Sequence, residues 1–266
     1  MITLAFSTMA NRKERLLTYL ASLKIPDNIK LQVVSQGESS NSREEYEKIT
    51  LFCKSEKGLS KSRNYNVSNC ATEYIWFLDD DIKFPEDLGI IIKYLTNFIG
   101  EFGSPDGIIC QVQGMETGST FKPYHYRKGG GGLGKFDCLR VSSIEIIFSV
   151  AFLKTKSVTF NEKIGLGTEY PGNEEVNFLI DCYERGADIR WIDRFLVSHT
   201  EDVSVRQVEG SGVYKIRGAT ASRFGPIGLL IISRWAFRLW RCPKSCINFY
   251  LLMLRYYCKG YKWFNS

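Results

Sequence analysis

The sequence predicts an α/β fold, a mostly parallel mixed sheet flanked by helices, with an α-helical C-terminal extension. Three observations carry this. Short apolar runs alternate with amphipathic stretches from Ile2 to Gln113, the pattern of strand-helix-strand units whose parallel strands are buried on both faces. One run, Tyr74-Ile75-Trp76-Phe77-Leu78, ends in three consecutive aspartates, Asp79-Asp80-Asp81. In open α/β sheets, ligands bind beyond the carboxyl ends of the strands, where these acids would stand. From Arg223 onward the pattern changes to apolar and aromatic residues interspersed with cations, without a single Asp or Glu.

The elements follow in order. Ile2 to Ser7 predicts a first strand. Asn11 to Leu23 predicts a helix with Leu16, Leu17, Leu20 and Leu23 on one stripe, closed by Pro26. Ile29 to Ser35 is a second strand, followed by a polar loop from Gln36 to Arg43, and Ile49 to Cys53 is a short third strand. Ser60 suits the N-cap of a helix through Asn69. The run Tyr74 to Leu78 is too short for an ordinary helix and predicts the buried strand that carries the acids. Leu88 to Phe98 is a further amphipathic helix and Ile108 to Gln113 a further strand. Met115 to Gly134 contains four glycines in a row and is expected to be a mobile loop that closes over ligand; nothing supports a role for His125 within it.

Length and composition set the bounds. A chain of 266 residues is long enough for one sizeable core plus an appendage, divided here as 1–222 and 223–266. With 44% apolar and 24% charged residues it has the composition of an ordinary folded protein. Met1 to Phe6 runs directly into a strand pattern without a basic leader, and the eight cysteines are dispersed. Reduced thiols and a cytoplasmic location are therefore expected. Cys242 and Cys246 stand one helical turn apart, but no neighbouring His or Cys completes a zinc site.

The net charge of +6 is unevenly placed: Arg223, Arg234, Arg238, Arg241, Lys244, Arg255, Lys259 and Lys262 all lie in the acid-free C-terminal segment. Arg234, Arg238 and Arg241 have helical spacing among Leu, Ile, Phe and Trp. The apolar stretch Ile227 to Ile232 is far too short to span a bilayer. A basic aromatic helix of this kind suits the interface of an anionic membrane. The alternatives are a helix packed on the core with its arginines in solvent, and, weakest of the three, nucleic-acid binding.

On a strand, side chains alternate, so Asp79 and Asp81 share one side and Asp80 faces the other. Carboxylates this close repel unless a cation gathers them, and the reading is a Mg²⁺ or Mn²⁺ site holding a diphosphate. The alternative is an acidic turn in which Asp81 caps a helix beginning near Pro85-Glu86-Asp87.

Further segments bear on that choice. Lys57-Gly58-Leu59-Ser60-Lys61-Ser62-Arg63-Asn64 precedes the acidic strand; later come Phe160-Asn161-Glu162-Lys163-Ile164-Gly165-Leu166-Gly167-Thr168, then Pro171-Gly172-Asn173-Glu174-Glu175-Val176-Asn177-Phe178, Glu184-Arg185-Gly186 and His199. In this order and spacing, residues 1 to 205 resemble the family-2 type glycosyltransferases of the GT-A fold. That resemblance implies metal-dependent, inverting transfer of a sugar from a nucleotide-sugar donor to a hydroxyl of a glycan or lipid-linked acceptor. Cell-surface polysaccharide synthesis at the inner face of the membrane is the implied setting. It also implies roles. Asp81 is the direct metal ligand, joined by His199; Asp79 contacts the donor's ribose or sugar, or the metal through water; Asp80 stands between them on the donor. Glu175 is the base and Glu174 binds the acceptor or positions its neighbour. Read without the resemblance, both glutamates simply suit a helix N-terminus behind Asn173 as N-cap. Thr8 and Arg12 in the first loop are donor-binding. Where many members carry acids after the second strand, this chain has Ser35-Gln36-Gly37-Glu38, leaving Gln36 to read the nucleobase. Arg63 and Asn64, at a helix start, are expected to hold phosphate; the alternative for Arg63 is pairing with a surface acid. A nucleotidyltransferase of related architecture and a non-catalytic membrane adaptor are the other readings.

Overall fold

The computed structural model describes residues 1–120, 122, 130–200, 211–239 and 246–262. Its strands, in chain order, are β1 (Ile2–Met9), β2 (Ile29–Gln36), β3 (Ser42–Tyr46), β4 (Ile49–Lys54), β5 (Tyr74–Asp79), β6 (Ile82–Lys83), β7 (Gly107–Gly114), β8 (Ile146–Ser149) and β9 (Ile189–His199). They form one mixed sheet in the order β3-β4-β2-β1-β5-β8-β7-β9-β6. Strands β4, β2, β1 and β5 run parallel, while β8 is inserted antiparallel between β5 and β7. The helices are α1 (Lys13–Ala21), α2 (Leu59–Asn69), α3 (Leu88–Glu101), α4 (Val150–Thr155), α5 (Glu174–Glu184), α6 (Ser211–Ser222), α7 (Ile227–Leu239) and α8 (Cys246–Lys259).

The apolar run before the aspartates is indeed a central strand buried on both faces. Trp76 and Leu78 join one core with Leu4, Phe6, Leu31 and the apolar stripes of α1 and α3. Ile75 and Phe77 join the opposite core with Phe148, Phe160 and Phe178. Trp76 is fully buried, so its indole N–H needs a partner, and it donates to the Ile144 carbonyl at 2.8 Å.

Several boundaries differ from the sequence expectation. The polar loop after β2 leads into an edge strand, β3, whose five residues are all exposed and pair antiparallel with β4. A strand without a buried face leaves no hydrophobic period to read. The first helix is preceded by a 3₁₀ turn at Ala10–Arg12, and α2 begins at Leu59, with Gly58 rather than Ser60 as N-cap. Ser60 Oγ instead donates to the Ile164 carbonyl at 2.7 Å. Asp81 caps nothing; Asp87 is the N-cap of α3, accepting from Gly89 N at 2.8 Å.

The three C-terminal helices pack together. Gly218 lets α6 approach α8 so closely that a Cβ there would meet the Met253 carbonyl at 2.1 Å. Ile216, Ala219, Tyr256 and Tyr261 are buried at that contact. The expected boundary at 222/223 falls between α6 and α7. Arg223 fastens this region to α5 through Asp181 at 2.5 Å and Glu184 at 2.6 Å. Outward, α7 and α8 expose Ile227, Leu229, Leu230, Phe237, Ile247 and Leu251. Among the described residues no helix is long and apolar enough to cross a membrane. His125, Arg241, Cys242 and Lys244, with residues 121 and 123–129 of the glycine-rich stretch, lie outside the described residues.

Candidate active site

A cleft of about 360 Å³ opens beyond the carboxyl ends of β1, β2 and β5. Its walls include Thr8, Arg12, Gln36, Arg63, Asp79, Asp80, Asp81, Glu174, Glu175 and His199. Residues as far apart in sequence as Thr8 and His199 thus meet in one space. Asn64 does not join them. Its side chain binds Phe160 N at 2.8 Å, Phe160 O at 2.9 Å and Glu162 at 2.9 Å, so it braces the segment after α4.

The three aspartates separate, but not by strand alternation, because β5 ends at Asp79, and Asp80 and Asp81 form the turn into β6. Asp80 turns toward the first loop, accepting from Thr8 Oγ1 at 2.5 Å and from Arg12 at 3.3 Å. Asp79 faces Arg63 at 3.3 Å and Ser143 Oγ at 3.4 Å. Burial pushes the Asp79 carboxyl above the usual carboxylate range, with Arg63 opposing. Asp81 meets His199, because β6 pairs antiparallel with the end of β9 and sets Ile82 opposite His199. His199 Nε2 lies 3.1 Å from Asp81 Oδ1. Burial works against charge on both groups, but their mutual attraction prevails: the imidazole is raised and the carboxyl lowered.

These two residues suit a divalent cation. Asp81 Oδ1 is buried yet receives no well-formed hydrogen bond, a costly arrangement unless something else meets it. His199 Nδ1 donates to the Thr200 carbonyl at 2.7 Å, which turns Nε2 toward Asp81; a cation bound between them would take the place of the Nε2 proton. A carboxylate oxygen and an imidazole nitrogen are both donor types that divalent cations accept. Among the described residues no three-member cluster of such ligands is preassembled, so remaining positions are open to ligand oxygens.

Arg63 is the centre of the cleft. It is 2% exposed and pairs with Glu174 at 3.1 Å as well as Asp79 at 3.3 Å. Its guanidinium lies over the Phe160 ring, 5.4 Å from the centroid. The cation expected to hold phosphate is therefore already engaged between two acids. The loop ahead of α5 reaches it because Gly165, at φ 109°, comes so near Glu174 that a Cβ would lie 3.3 Å from its carboxyl carbon. Asn173 precedes α5 in a left-handed conformation, φ 63°, without the side-chain capping bond expected of an N-cap. Gln36 Oε1 accepts from Gly58 N at 2.7 Å, fixing the turn before α2.

Glu175 stands apart. Asp79, Asp80, Asp81 and Glu174 each have a cationic partner, whereas none is found for Glu175 among the described residues. It keeps some surface in the cleft while its carboxyl is enclosed by protein. Burial, reinforced by Glu174, raises its pKa from 4.5 to about 8. A half-buried, unpaired carboxylate with a raised pKa has the properties of a general base. Sequence reasoning passed over Lys57, Ser142, Ser143, Val213 and Arg217, which also line the cleft. None falls within a motif except Lys57, which opens the Gly58-Leu59-Ser60 segment.

The comparisons bear on the family and the fold. A family model described as glycosyl transferase family 2 matches residues 8–157. No curated protein sequence matches the chain. Among solved structures, S. aureus TarS 1–349 in complex with UDP is similar at a TM-score of 0.61 and 18% identity, over 86% of this chain and 65% of that one. The same protein in complex with UDP-GlcNAc gives a TM-score of 0.63 at 16% identity, over 86% and 66%. A longer TarS structure gives 0.60 at 18% identity, over 83% of this chain and 39% of that chain. The chain thus spans less than two thirds of each TarS structure, and at these identities the likeness is one of fold.

Proposed function

This chain belongs to glycosyl transferase family 2, and from that premise we propose that its cleft performs metal-dependent, inverting transfer of a sugar from a nucleotide donor to an acceptor hydroxyl. Residues 1–222 serve as the catalytic domain and 223–266 as its appendage. The observation that carries the reading is that Asp81, paired with His199, and Glu175, without a cationic partner among the described residues, line one cleft. The solved neighbours hold UDP and UDP-GlcNAc, which supports a uridine diphosphate sugar as donor.

In this mechanism Asp81 and His199 would hold Mn²⁺ or Mg²⁺, which would supply positive charge to offset that of the leaving diphosphate. Asp79, held by Arg63 and Ser143, faces the donor's ribose or sugar. Thr8 and Arg12 fix Asp80 and shape the loop over the nucleotide, and Gln36 lies where the base enters. Glu175 accepts the proton of the attacking hydroxyl as that oxygen approaches the anomeric carbon on the face opposite the diphosphate. Glu174, locked to Arg63, fixes where the helix and its neighbour stand. Enclosure by protein keeps water from competing.

Incubation with uridine diphosphate sugars and Mn²⁺ should release nucleoside diphosphate; release of pyrophosphate from nucleoside triphosphates would instead indicate nucleotidyl transfer. The variant Asp81→Asn should weaken metal-dependent donor binding by roughly tenfold or more, measured calorimetrically with and without Mn²⁺. Equal affinity with and without the metal in both proteins would remove Asp81 from the ligand set.

Membrane contact at the inner face of the cell membrane, with a glycan or lipid-linked acceptor in surface polysaccharide synthesis, is the setting this reading supports. Leu230 and Phe237 are 69% and 71% exposed on an acid-free helix that also carries the exposed Arg234. Burying such side chains in a lipid interface is worth about 1.5–3 kcal/mol each. The double variant Leu230→Glu/Phe237→Glu should therefore lose at least about tenfold in binding to anionic vesicles, with its melting temperature nearly unchanged. Cosedimentation that is the same for both proteins would discard the membrane role.

A further inference from the structure

Of the cations lining the cleft, Arg12, Arg63 and His199 are each committed to an acid. Lys57 and Arg217 are not: no carboxylate pairs with either among the described residues. Lys57 is exposed and stands beside Gly37, on the donor side of the cleft. Arg217 is different in kind. It is half-buried, with the rings of Tyr214 and Trp235 at 5.9 Å and 6.0 Å from its guanidinium. Those rings hold the planar group in place by their faces, which leaves its five N–H donors without an anionic acceptor among the described residues. Withdrawing an arginine from water without an anion to meet it is unfavourable, and burial pulls Arg217 below its ordinary pKa.

The position of Arg217 follows from how α6 is fixed. At its start, Gly212 presses against the Glu169 carbonyl, where a Cβ would come within 2.1 Å. Near its end, Thr220 Oγ1 accepts from Asn177 Nδ2 at 2.9 Å and from Asn173 Nδ2 at 3.3 Å. Val213, Arg217 and Thr220 lie four and three residues apart, on one helical face. That face is turned to the entrance of α5, and so to the wall that carries Glu175. Asp81 and His199 belong to the sheet wall at the strand ends.

We propose that Arg217, beside Val213, is a binding residue for a phosphate group of the acceptor, held within the cleft so that a neighbouring hydroxyl meets Glu175. This rests on the glycosyltransferase reading and narrows its acceptor to phosphate-bearing glycans or lipids. The guanidinium fork presents paired N–H groups to two phosphate oxygens. An acceptor without that anion leaves the arginine unmet, so the site discriminates by the cost of an unsatisfied buried charge.

The test uses the full chain and three probes: UDP with Mn²⁺, sn-glycerol 3-phosphate, and glycerol as the uncharged control. With UDP and Mn²⁺ saturating, glycerol 3-phosphate should still bind and glycerol should not. Arg217→Gln should weaken glycerol phosphate at least tenfold and leave UDP affinity within twofold. Val213→Glu, which sets a carboxylate one turn from the guanidinium, should do the same and serves if Arg217→Gln fails to fold. Competition between glycerol phosphate and UDP, with both weakened by Arg217→Gln, would assign the arginine to the donor diphosphate and overturn the proposal. Unchanged glycerol phosphate binding in both variants, or equal binding of glycerol, would overturn it as well. Failure of UDP to bind the unaltered protein would count against the donor reading instead; glycerol phosphate titrated alone against the two variants then decides Arg217.

Discussion

Glu175→Gln is expected to lower the rate of sugar transfer by about 10²–10⁴-fold, the range lost when a positioned general base is removed, while donor affinity stays nearly constant. The amide keeps the shape of the side chain but cannot take up the acceptor's proton. Steady-state rates beside calorimetric donor binding make the check. A variant that transfers sugar at the normal rate would take the base role away from Glu175. The pH profile gives an independent reading. The Glu175 carboxyl is raised from 4.5 to about 8 by burial and then by Glu174. It works as a base only when ionised, so kcat/KM should climb as pH rises toward about 8 and level off above it. Stability runs the other way. A carboxyl whose pKa is raised on folding favours the folded state most below its unfolded value. That contribution fades between about 4.5 and 8. Conditions that switch the base on also loosen the protein around it, and Glu175→Gln should remove both trends.

The second large effect is structural. Arg63→Met is expected to destabilise the fold by about 3–5 kcal/mol, because removing one member of a buried ion pair strands its partner. Glu174 is 5% exposed and its second carboxylate oxygen already lacks a hydrogen bond, so it has no solvent to turn to. Asp79 keeps more surface and recovers some hydration, which favours the lower end of the range. For a chain of this size such a loss lowers the melting temperature by roughly 10 °C. Adding Glu174→Gln should restore part of it, and a double-mutant cycle isolates the pair. Simple additivity of the two changes would show that the pair does not act as a unit.

The acids of the cleft were legible in the sequence for a physical reason. A parallel strand buried on both faces must be continuously apolar, so Asp79-Asp80-Asp81 can only mark its end; the turn at Asp80 and Asp81, rather than strand alternation, sets Asp80 apart from its neighbours. Glu174 and Glu175 were legible through motif order. The resemblance also pointed to His199, although the pairing of β6 with β9 that delivers it to Asp81 is a long-range event without a local signature. Arg63 shows the limit. Its segment was recognised, but its partners lie 16 and 111 residues away, and nothing local announces that it will be consumed by acids. Arg217 sits in a stretch without motif or period, where only the packing of α6 on α5 makes it part of the cleft. Strand β3 was missed because every one of its residues faces water.

That last strand has a consequence for how the protein behaves among copies of itself. A sheet this wide offers two free borders, and each unpaired border is a template on which another chain can extend the ladder. One border is β3, which presents Arg43, Glu44 and Glu45 in succession; the other is β6, only two residues long. Charge guards the first, whereas at the second β6 covers only Ser198 and His199 of β9.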